Sequence, residues 1–382
     1  MNNETLRLFV AATRQNDGKT TAALGLFAAL KKRLGRIGFI KPVGQRFVEV
    51  EGKRIDEDSL LIDDTFHPQV PLEDMSPIAV EPDFTRRYIE HANNDALVRR
   101  LQHAFDRAAW EKDFVIVEGT GHAGVGSVFD LSNARVASIL HSKVILVTGG
   151  GIGKPIDEIA LNRALFDLEG VEIAGVILNK VMPSKREYIA DFARRGFARL
   201  GIDLLGVLPD VPMLAEATLA QIASSIDGEF LHGWQRNRRH VRRVVIGAAS
   251  SGNVVEHFAP GTLLVTPGDR EDIILAALSS TCLLPSTAAT GEQGGGGGKS
   301  GPPLVAGVAL CGQHRPHPSI LDMIHSSEIP FITSPHESFA VASRIHSMTV
   351  KTLPGDTEKI SAIQTLVEQY VEIDRLLEKL RS

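Results

Sequence analysis

Residues suited to holding phosphate stand at the start of the chain. Leu6 to Ala11 form an apolar run, a polar stretch follows, and Gly18-Lys19-Thr20-Thr21 closes it. A helical pattern begins at once, with Ala22, Ala23, Leu24, Leu26, Phe27 and Leu30 apolar. Strand, loop and helix in that order make a Gly-Lys-Thr readable as a phosphate-binding loop, or P-loop. Loop amides and the free N–H groups of the first helical turn point at phosphate oxygens. Lys19 is expected on the β- and γ-phosphates and the Thr20 hydroxyl at a magnesium position. Thr13, Arg14, Gln15, Asn16, Asp17, Gly18 and Thr21 are expected around the same nucleotide.

Further candidates follow later apolar runs. Ile37 to Ile40 reads as a buried strand ending in Lys41-Pro42-Val43-Gly44-Gln45. A lysine at the carboxyl end of a parallel strand lies at the ligand edge of an open α/β sheet. Beside a P-loop, Lys41 is expected to face phosphate or carboxylate, the alternative being a solvated loop lysine. Asp56, Glu57, Asp58, Asp63 and Asp64 crowd one short stretch. Most suit a solvated helix start, where the helix dipole favours acids; Asp58 is the one expected to reach magnesium. Phe114-Val115-Ile116-Val117-Glu118-Gly119-Thr120-Gly121 is a hydrophobic strand that ends in a carboxylate, of Walker B type. Glu118 would offer oxygen to a magnesium ion or its water, and glycines such as Gly121 let backbone approach phosphate. His122 either contacts substrate or satisfies a loop carbonyl. Asn179 and Lys180 end the apolar run from Gly175; an Asn there suits the N6 and N7 edge of adenine.

Hydrophobic patterning supplies the elements that must position these residues. Strands alternate with helices across the first half, which implies a parallel sheet covered on both faces. The expected fold class is α/β: a P-loop parallel sheet with helices on both faces over residues 1–212, a smaller α/β domain over 213–350, and a C-terminal amphipathic helix within 351–382. Tyr88 to Glu111 reads as one helix. In the terminal helix, Ile360, Ile363, Leu366, Val367, Tyr370, Ile373, Leu376 and Leu380 recur at a spacing near 3.5. That spacing fits either a contact between subunits of a homo-oligomer or packing on its own domain. Asp269 or Asp272 is expected to cap a helix from Ile273. The basic run from Arg236 to Arg243 reads as solvated surface, or else as a site for an anionic ligand or partner. Residues 284–303 are expected to be a flexible surface insertion. Its Gly298-Lys299-Ser300 is no second P-loop, since no strand precedes it and Gly301-Pro302-Pro303 bars a helix.

Composition narrows the function class. With 43% hydrophobic and 23% charged residues and a net charge of −5, nothing points to nucleic acid or to a membrane. Cys282 and Cys311 are too few for a disulfide framework, as expected of a cytoplasmic protein. The polar start Met1-Asn2-Asn3-Glu4-Thr5 does not read as a signal peptide. No apolar run approaches the ~20 residues of a membrane span.

The motifs together resemble a known family. In a standard P-loop a Gly stands where this chain has Thr13; a longer variant puts a small residue at Ala12. That variant marks the dethiobiotin synthetase and cobyrinate amidase branch. The long loop from Ala12 to Thr20, Lys41-Pro42-Val43, Asp58, Glu118-Gly119-Thr120-Gly121, Gly149 to Gly153 and Asn179-Lys180 resemble, in that order, the dethiobiotin-synthetase-like domain at the N-terminus of some phosphotransacetylases. From about Ala215 to Met348 the chain resembles the DRTGG domain that follows it there, most clearly at Thr266-Pro267-Gly268-Asp269-Arg270-Glu271-Asp272. The resemblance implies a sheet that binds ATP and Mg2+. Lys19 and Lys41 would neutralise a transferring phosphoryl group, and Thr20, Asp58 and Glu118 would hold the metal.

Departures bear on substrate. Gly44-Gln45-Arg46 lacks the hydroxyl with which the synthetase helps hold its diamine, and His122-Ala123-Gly124-Val125 departs from the usual loop. Biotin synthesis is therefore not expected. The acetyl-transferring domain is not among these residues, so acetyl phosphate chemistry is not expected of this chain alone. Two functions remain. One is ATP-dependent phosphoryl transfer to a small carboxylate or carbamate. The other is a nucleotide-gated regulator whose DRTGG domain binds an effector or partner. A corrinoid-type amidase would need a Cys nucleophile, and neither Cys282 nor Cys311 lies in a Gly-Cys-Gly elbow.

Overall fold

Apolar runs without alternation belong to strands buried on both faces, and the first unit is built on six of them. The computed structural model describes residues 1–280 and 304–382; Cys282 and the stretch 284–303 lie outside the described residues. The chain divides into two units, Met1–Val211 with Thr352–Ser382, and Pro212–Lys351.

In the first unit β1 (Leu6–Ala12), β2 (Ile37–Ile40), β3 (Phe114–Glu118), β4 (Lys143–Gly149), β5 (Ile173–Val181) and β6 (Leu204–Pro209) form a parallel sheet in the order β6-β5-β4-β1-β3-β2. Leu8 to Ala12, Phe114 to Val117 and Val144 to Val147 are fully enclosed. Val10 stands opposite Glu118 in β3, and Ala12 opposite Val147 in β4. The chain leaves β1 toward β2 and β3 on one side and reaches β4 to β6 on the other. Such a reversal opens a crevice at the carboxyl ends of the strands. The loop after β1, Lys41 after β2, Glu118 at the end of β3 and Asn179-Lys180 near the end of β5 all lie at that edge.

Helix α1 (Lys19–Leu34) starts directly on the loop and stops at Gly35, whose φ is 87° and whose N–H returns to Lys31 O. Helix α2 (Glu57–Phe66) begins at Asp56, whose carboxylate accepts from the Asp58 N–H. The single helix expected over Tyr88 to Glu111 is two, α3 (Phe84–Glu90) and α4 (Asn94–Ala109), with Asn93 capping the second. A side-chain cap competes with helix continuation, which is why the break falls there. Helix α5 (Gly153–Leu168) follows β4.

The second unit repeats the α/β plan on a smaller sheet. Strands β7 (Glu229–His232), β8 (Arg243–Ile246), β9 (Thr262–Pro267), β10 (Val305–Cys311) and β11 (Phe331–Ser334) lie in the order β7-β11-β10-β9-β8, with β7 antiparallel at one edge. Ile222, Val265, Ala309 and Val341 pack on one face, and Leu264, Ile273, Val308 and Phe331 on the other. Helix α6 (Glu271–Ser279) has no side-chain cap; Asp272 pairs instead with Arg270, at 2.9 Å. Helix α7 (Ser338–Ser347) follows β11.

The terminal segment is two helices rather than one, α8 (Thr357–Tyr370) and α9 (Ile373–Arg381). Val371 between them is extended and bridges Gly206 of β6, and the Glu372 N–H donates to Leu205 O at 2.8 Å. Ile363, Val367, Ile373 and Leu376 are enclosed within the first unit. A Cβ on Gly25 of α1 would lie 2.2 Å from Val367 Cγ2, so the two helices approach where only glycine fits. Of the two alternatives given above, a subunit contact and packing on its own domain, the second holds: this apolar face is covered by its own unit. Among the described residues no helix is long and apolar enough to cross a membrane.

Candidate functional site

The loop after β1 is held by side chains from three other elements. Gly18 has φ 93°, and a Cβ there would lie 1.9 Å from Asn179 Nδ2, so both conformation and space require glycine. Asn179 Nδ2 donates to Asp17 O at 2.9 Å, and Lys180 Nζ to Asn16 O at 2.8 Å. The structure therefore uses this pair to brace the phosphate loop, and Asn179 is buried. Thr13 is buried too, its hydroxyl 2.8 Å from Asp17 Oδ2 and from Thr148 Oγ1 and 3.1 Å from Glu158 Oε2. Arg14 pairs with Glu158 at 2.5 Å. Burial and the nearby Glu158 hold the Asp17 carboxyl above its ordinary range, against its hydrogen bond from Thr13. Gln15 is exposed, while Lys19, Thr20 and Thr21 open the helix.

Beside the loop lies a buried cluster of charge. The Lys41 ammonium is ion-paired with Asp58, lies 3.0 Å from Asp56 Oδ1 and 3.8 Å from Glu118 Oε1. Burial alone would lower its pKa, but Asp58, Glu118 and Asp56 together hold it above the ordinary ammonium range. Lys41 is thus not the solvated loop lysine: its buried ammonium faces carboxylates, those of Asp56, Asp58 and Glu118 of its own unit. Glu118 Oε1 accepts from Thr20 Oγ1 at 2.8 Å. Burial and the charge of Asp58 push the Glu118 carboxyl up to about 7, opposed by Lys41, Lys19 and Thr20. Burial likewise raises Asp56, opposed by Lys41. Asp56 is no solvated helix acid: it is 1% exposed. Among the described residues Glu118 Oε2 and Asp56 Oδ2 have no hydrogen-bond partner.

Two asparagines fix the turn after β3. Asn133 donates to Thr120 O at 2.7 Å and His122 O at 2.6 Å, and accepts from the Thr120 N–H at 2.9 Å. Asn162 of α5 accepts from the Ala123 N–H at 2.9 Å and reaches back to Thr13 O. Gly121 has φ 67°. His122 Nδ1 accepts from the Gly124 N–H at 3.2 Å, a bond within its own loop. Thr148, Glu158, Asn133, Asn162 and Asp56 were not legible as site residues. Only Asp56 carried a signal, an Asp two residues before Asp58 at a helix start.

The oxygens fit a magnesium ion. The Thr20 hydroxyl, Asp58 and Glu118, with its unpartnered Oε2, are hard donors, and Mg2+ is usually held by one or two carboxylates with phosphates and water completing the shell. Among the described residues no three His, Cys, Asp or Glu side chains are arranged to hold an ion by themselves.

Residues 6–218, more than half the chain, match the AAA domain family model. The chain belongs to the AAA domain family. In it, the P-loop domain is followed by a DRTGG domain matched over residues 221–348. The AAA-domain chain is 28% identical to the phosphate acetyltransferase of Pseudomonas aeruginosa, over 97% of this chain and 51% of the relative. It is 26% identical to that of Nitrosomonas europaea, again over 97% of this chain and 51% of the relative. The chain therefore spans about half the length of the curated relatives it matches. Among solved structures it is similar to the septum site-determining protein MinD of Pyrococcus horikoshii in complex with Mg-ADP. The identity there is 16%, over 55% of this chain and 83% of that chain, with a TM-score of 0.34.

Proposed function

We propose that this AAA-domain chain is a nucleotide-responsive module that binds ATP with Mg2+ in its first unit. The observation that carries the reading is the pairing of Thr20 Oγ1 with enclosed Glu118, one residue from Lys19 at the start of α1. Lys19 and the first-turn amides would hold the β- and γ-phosphates. Thr20, Glu118 and Asp58 would hold the ion, which would offset phosphate charge. Asn179 would offer its remaining acceptor to adenine while its Nδ2 keeps the loop in place.

Phosphoryl transfer to a small carboxylate or carbamate is the second reading. It asks Lys41 to meet the transferring group, and Lys41 lies buried among three carboxylates. That favours the responsive module over the kinase-like enzyme. In this proposal the DRTGG unit takes a small effector or a partner, and the chain corresponds to the nucleotide-sensing half of phosphate acetyltransferase-like proteins. Assembly of like copies would then use surfaces other than α8 and α9.

The test is calorimetric titration with ATP, with and without Mg2+, followed in the same sample by ADP release over hours. Tight magnesium-dependent binding with negligible release is expected. Release stimulated by a small carboxylate would replace the module by the enzyme, and absence of binding would end both.

A further inference from the structure

Three carboxylates cannot be enclosed together without a cation, because desolvation of each is expensive and their mutual repulsion is unscreened. In the first unit that cation is Lys41. Its Nζ is paired with Asp58 and lies 3.0 Å from Asp56 Oδ1 and 3.8 Å from Glu118 Oε1. Two of those three, Asp58 and Glu118, are the residues assigned above to magnesium. The same Glu118 oxygen that faces Lys41 also takes the Thr20 hydroxyl.

We propose that Lys41 is the resident counter-ion of the metal site: the ammonium and a divalent cation compete for Asp58 and Glu118, and metal entry drives Lys41 off them onto Asp56. The inference rests on the reading that Asp58 and Glu118 are metal ligands. Two cations a few ångströms apart in an enclosed site repel strongly, so both cannot keep the contacts now made by one. Asp56 is built to receive the displaced ammonium. Its Oδ1 is already 3.0 Å from Nζ, and its Oδ2 has no hydrogen-bond partner among the described residues. The carboxylate is fixed by the Asp58 N–H at 2.9 Å and lies against Gly44, where a Cβ would come within 2.7 Å of Asp56 Oδ2. Asp56 is thus a positioning residue for Lys41. Metal arriving with a nucleotide brings phosphates that offset the repulsion, whereas metal alone does not. The site therefore discriminates against bare divalent cations.

The test uses Mn2+ alone, without nucleotide, on the full chain, read by electron paramagnetic resonance. Lys41→Met is expected to bind Mn2+ about tenfold or more tightly than the parent, and Mg2+ is expected to raise its melting temperature more than the parent's. Lys41→Arg keeps the charge and is expected to bind Mn2+ like the parent. Equal or weaker Mn2+ binding by folded Lys41→Met overturns the proposal. Should Lys41→Met be unfolded, recovery of its circular dichroism on adding Mg2+ supports the proposal. Failure to recover passes the decision to Asp56→Asn, which leaves Lys41 leaning on the metal's carboxylates. Several-fold weaker Mn2+ binding by Asp56→Asn is expected, and unchanged binding overturns the proposal. Because no nucleotide is present, these outcomes stand apart from the ATP titration: the chain can fail to bind ATP and still show the competition, or bind ATP and lack it.

Discussion

The two sheets of this chain end in opposite kinds of surface. At the carboxyl edge of the first lie Lys41, Asp56, Asp58 and Glu118, all buried. At the same edge of the second lie Thr266, Cys311 and Ser334, equally buried and all uncharged. Among the described residues every buried charged side chain belongs to the first unit. The second edge is sealed by its own groups: Ser334 Oγ donates to Ile226 O at 2.7 Å, and burial pushes the Cys311 thiol up to about 11. Both edges have the topology that receives ligands. Only the first keeps charge out of water, a cost sustained where charges oppose one another or await a ligand.

Glycines give the largest test of this contrast. A Cβ on Gly18 would meet Asn179 Nδ2 at 1.9 Å, and one on Gly268 would meet His314 O at 1.9 Å. Both Gly18→Ala and Gly268→Ala are expected to lose about 1–3 kcal/mol in denaturant unfolding. Only Gly18→Ala is expected to abolish ATP binding as well; if Gly268→Ala also abolishes it, the contrast between the edges fails.

Next comes charge on the loop. Lys19→Ala is expected to weaken ATP binding about 10- to 100-fold, the value of one charge-assisted hydrogen bond. Arg270→Ala, in the second unit, is expected to leave the calorimetric affinity unchanged. Parent-like binding by Lys19→Ala would remove the P-loop assignment.

The third prediction concerns pH. Glu118 is held up to about 7, above the ordinary carboxylate range. Between the unfolded pKa and about pH 7 the folded state therefore keeps a proton that the unfolded chain has released, and above that the carboxylate is ionised. Stability from this group is complete below the unfolded pKa of about 4.3 and lost as pH rises through about 7. Unfolding midpoints are expected to fall between pH 5 and pH 8 in the parent and to fall less in Glu118→Gln. Parallel falls in both would assign the pH dependence to other groups.

The smallest effect belongs to the second edge. Thr266 Oγ1 is enclosed and has no hydrogen-bond partner among the described residues. Thr266→Val keeps the shape and removes the unpartnered hydroxyl, so a gain of about 1 kcal/mol is expected in chemical denaturation. A loss instead would mean that this edge, too, holds its polar group for a ligand.

Some features of this chain are set by neighbours in sequence and others by neighbours in space. The P-loop, the Walker B strand and the strand–helix alternation depend on neighbours in sequence, through loop amides, buried strand runs and helix starts. They were legible, and so were Lys41, Asp58 and Glu118 as candidates. The terminal segment was harder: its apolar spacing was plain, but what covers it was not. Periodicity states that a face is apolar and says nothing of which surface meets it. Gly25, in another helix more than 300 residues away, decides that.

The sequence by itself determined which strands are buried on both faces, where the Gly-Lys-Thr loop falls and which residues are candidates to meet a nucleotide. Each of these follows from short-range chemistry: apolar runs, glycine at positive φ, and a helix N-terminus. Only the tertiary structure decided that Lys41 is enclosed by Asp56, Asp58 and Glu118, that Asn179 and Thr13 brace the loop, and that Asn133 and Asn162 hold the turn after β3. These depend on which strand ends the sheet order brings side by side. Charges and hydrogen bonds act through a few ångströms of space, so residues far apart in the chain become one site only when the sheet sets their strand ends together.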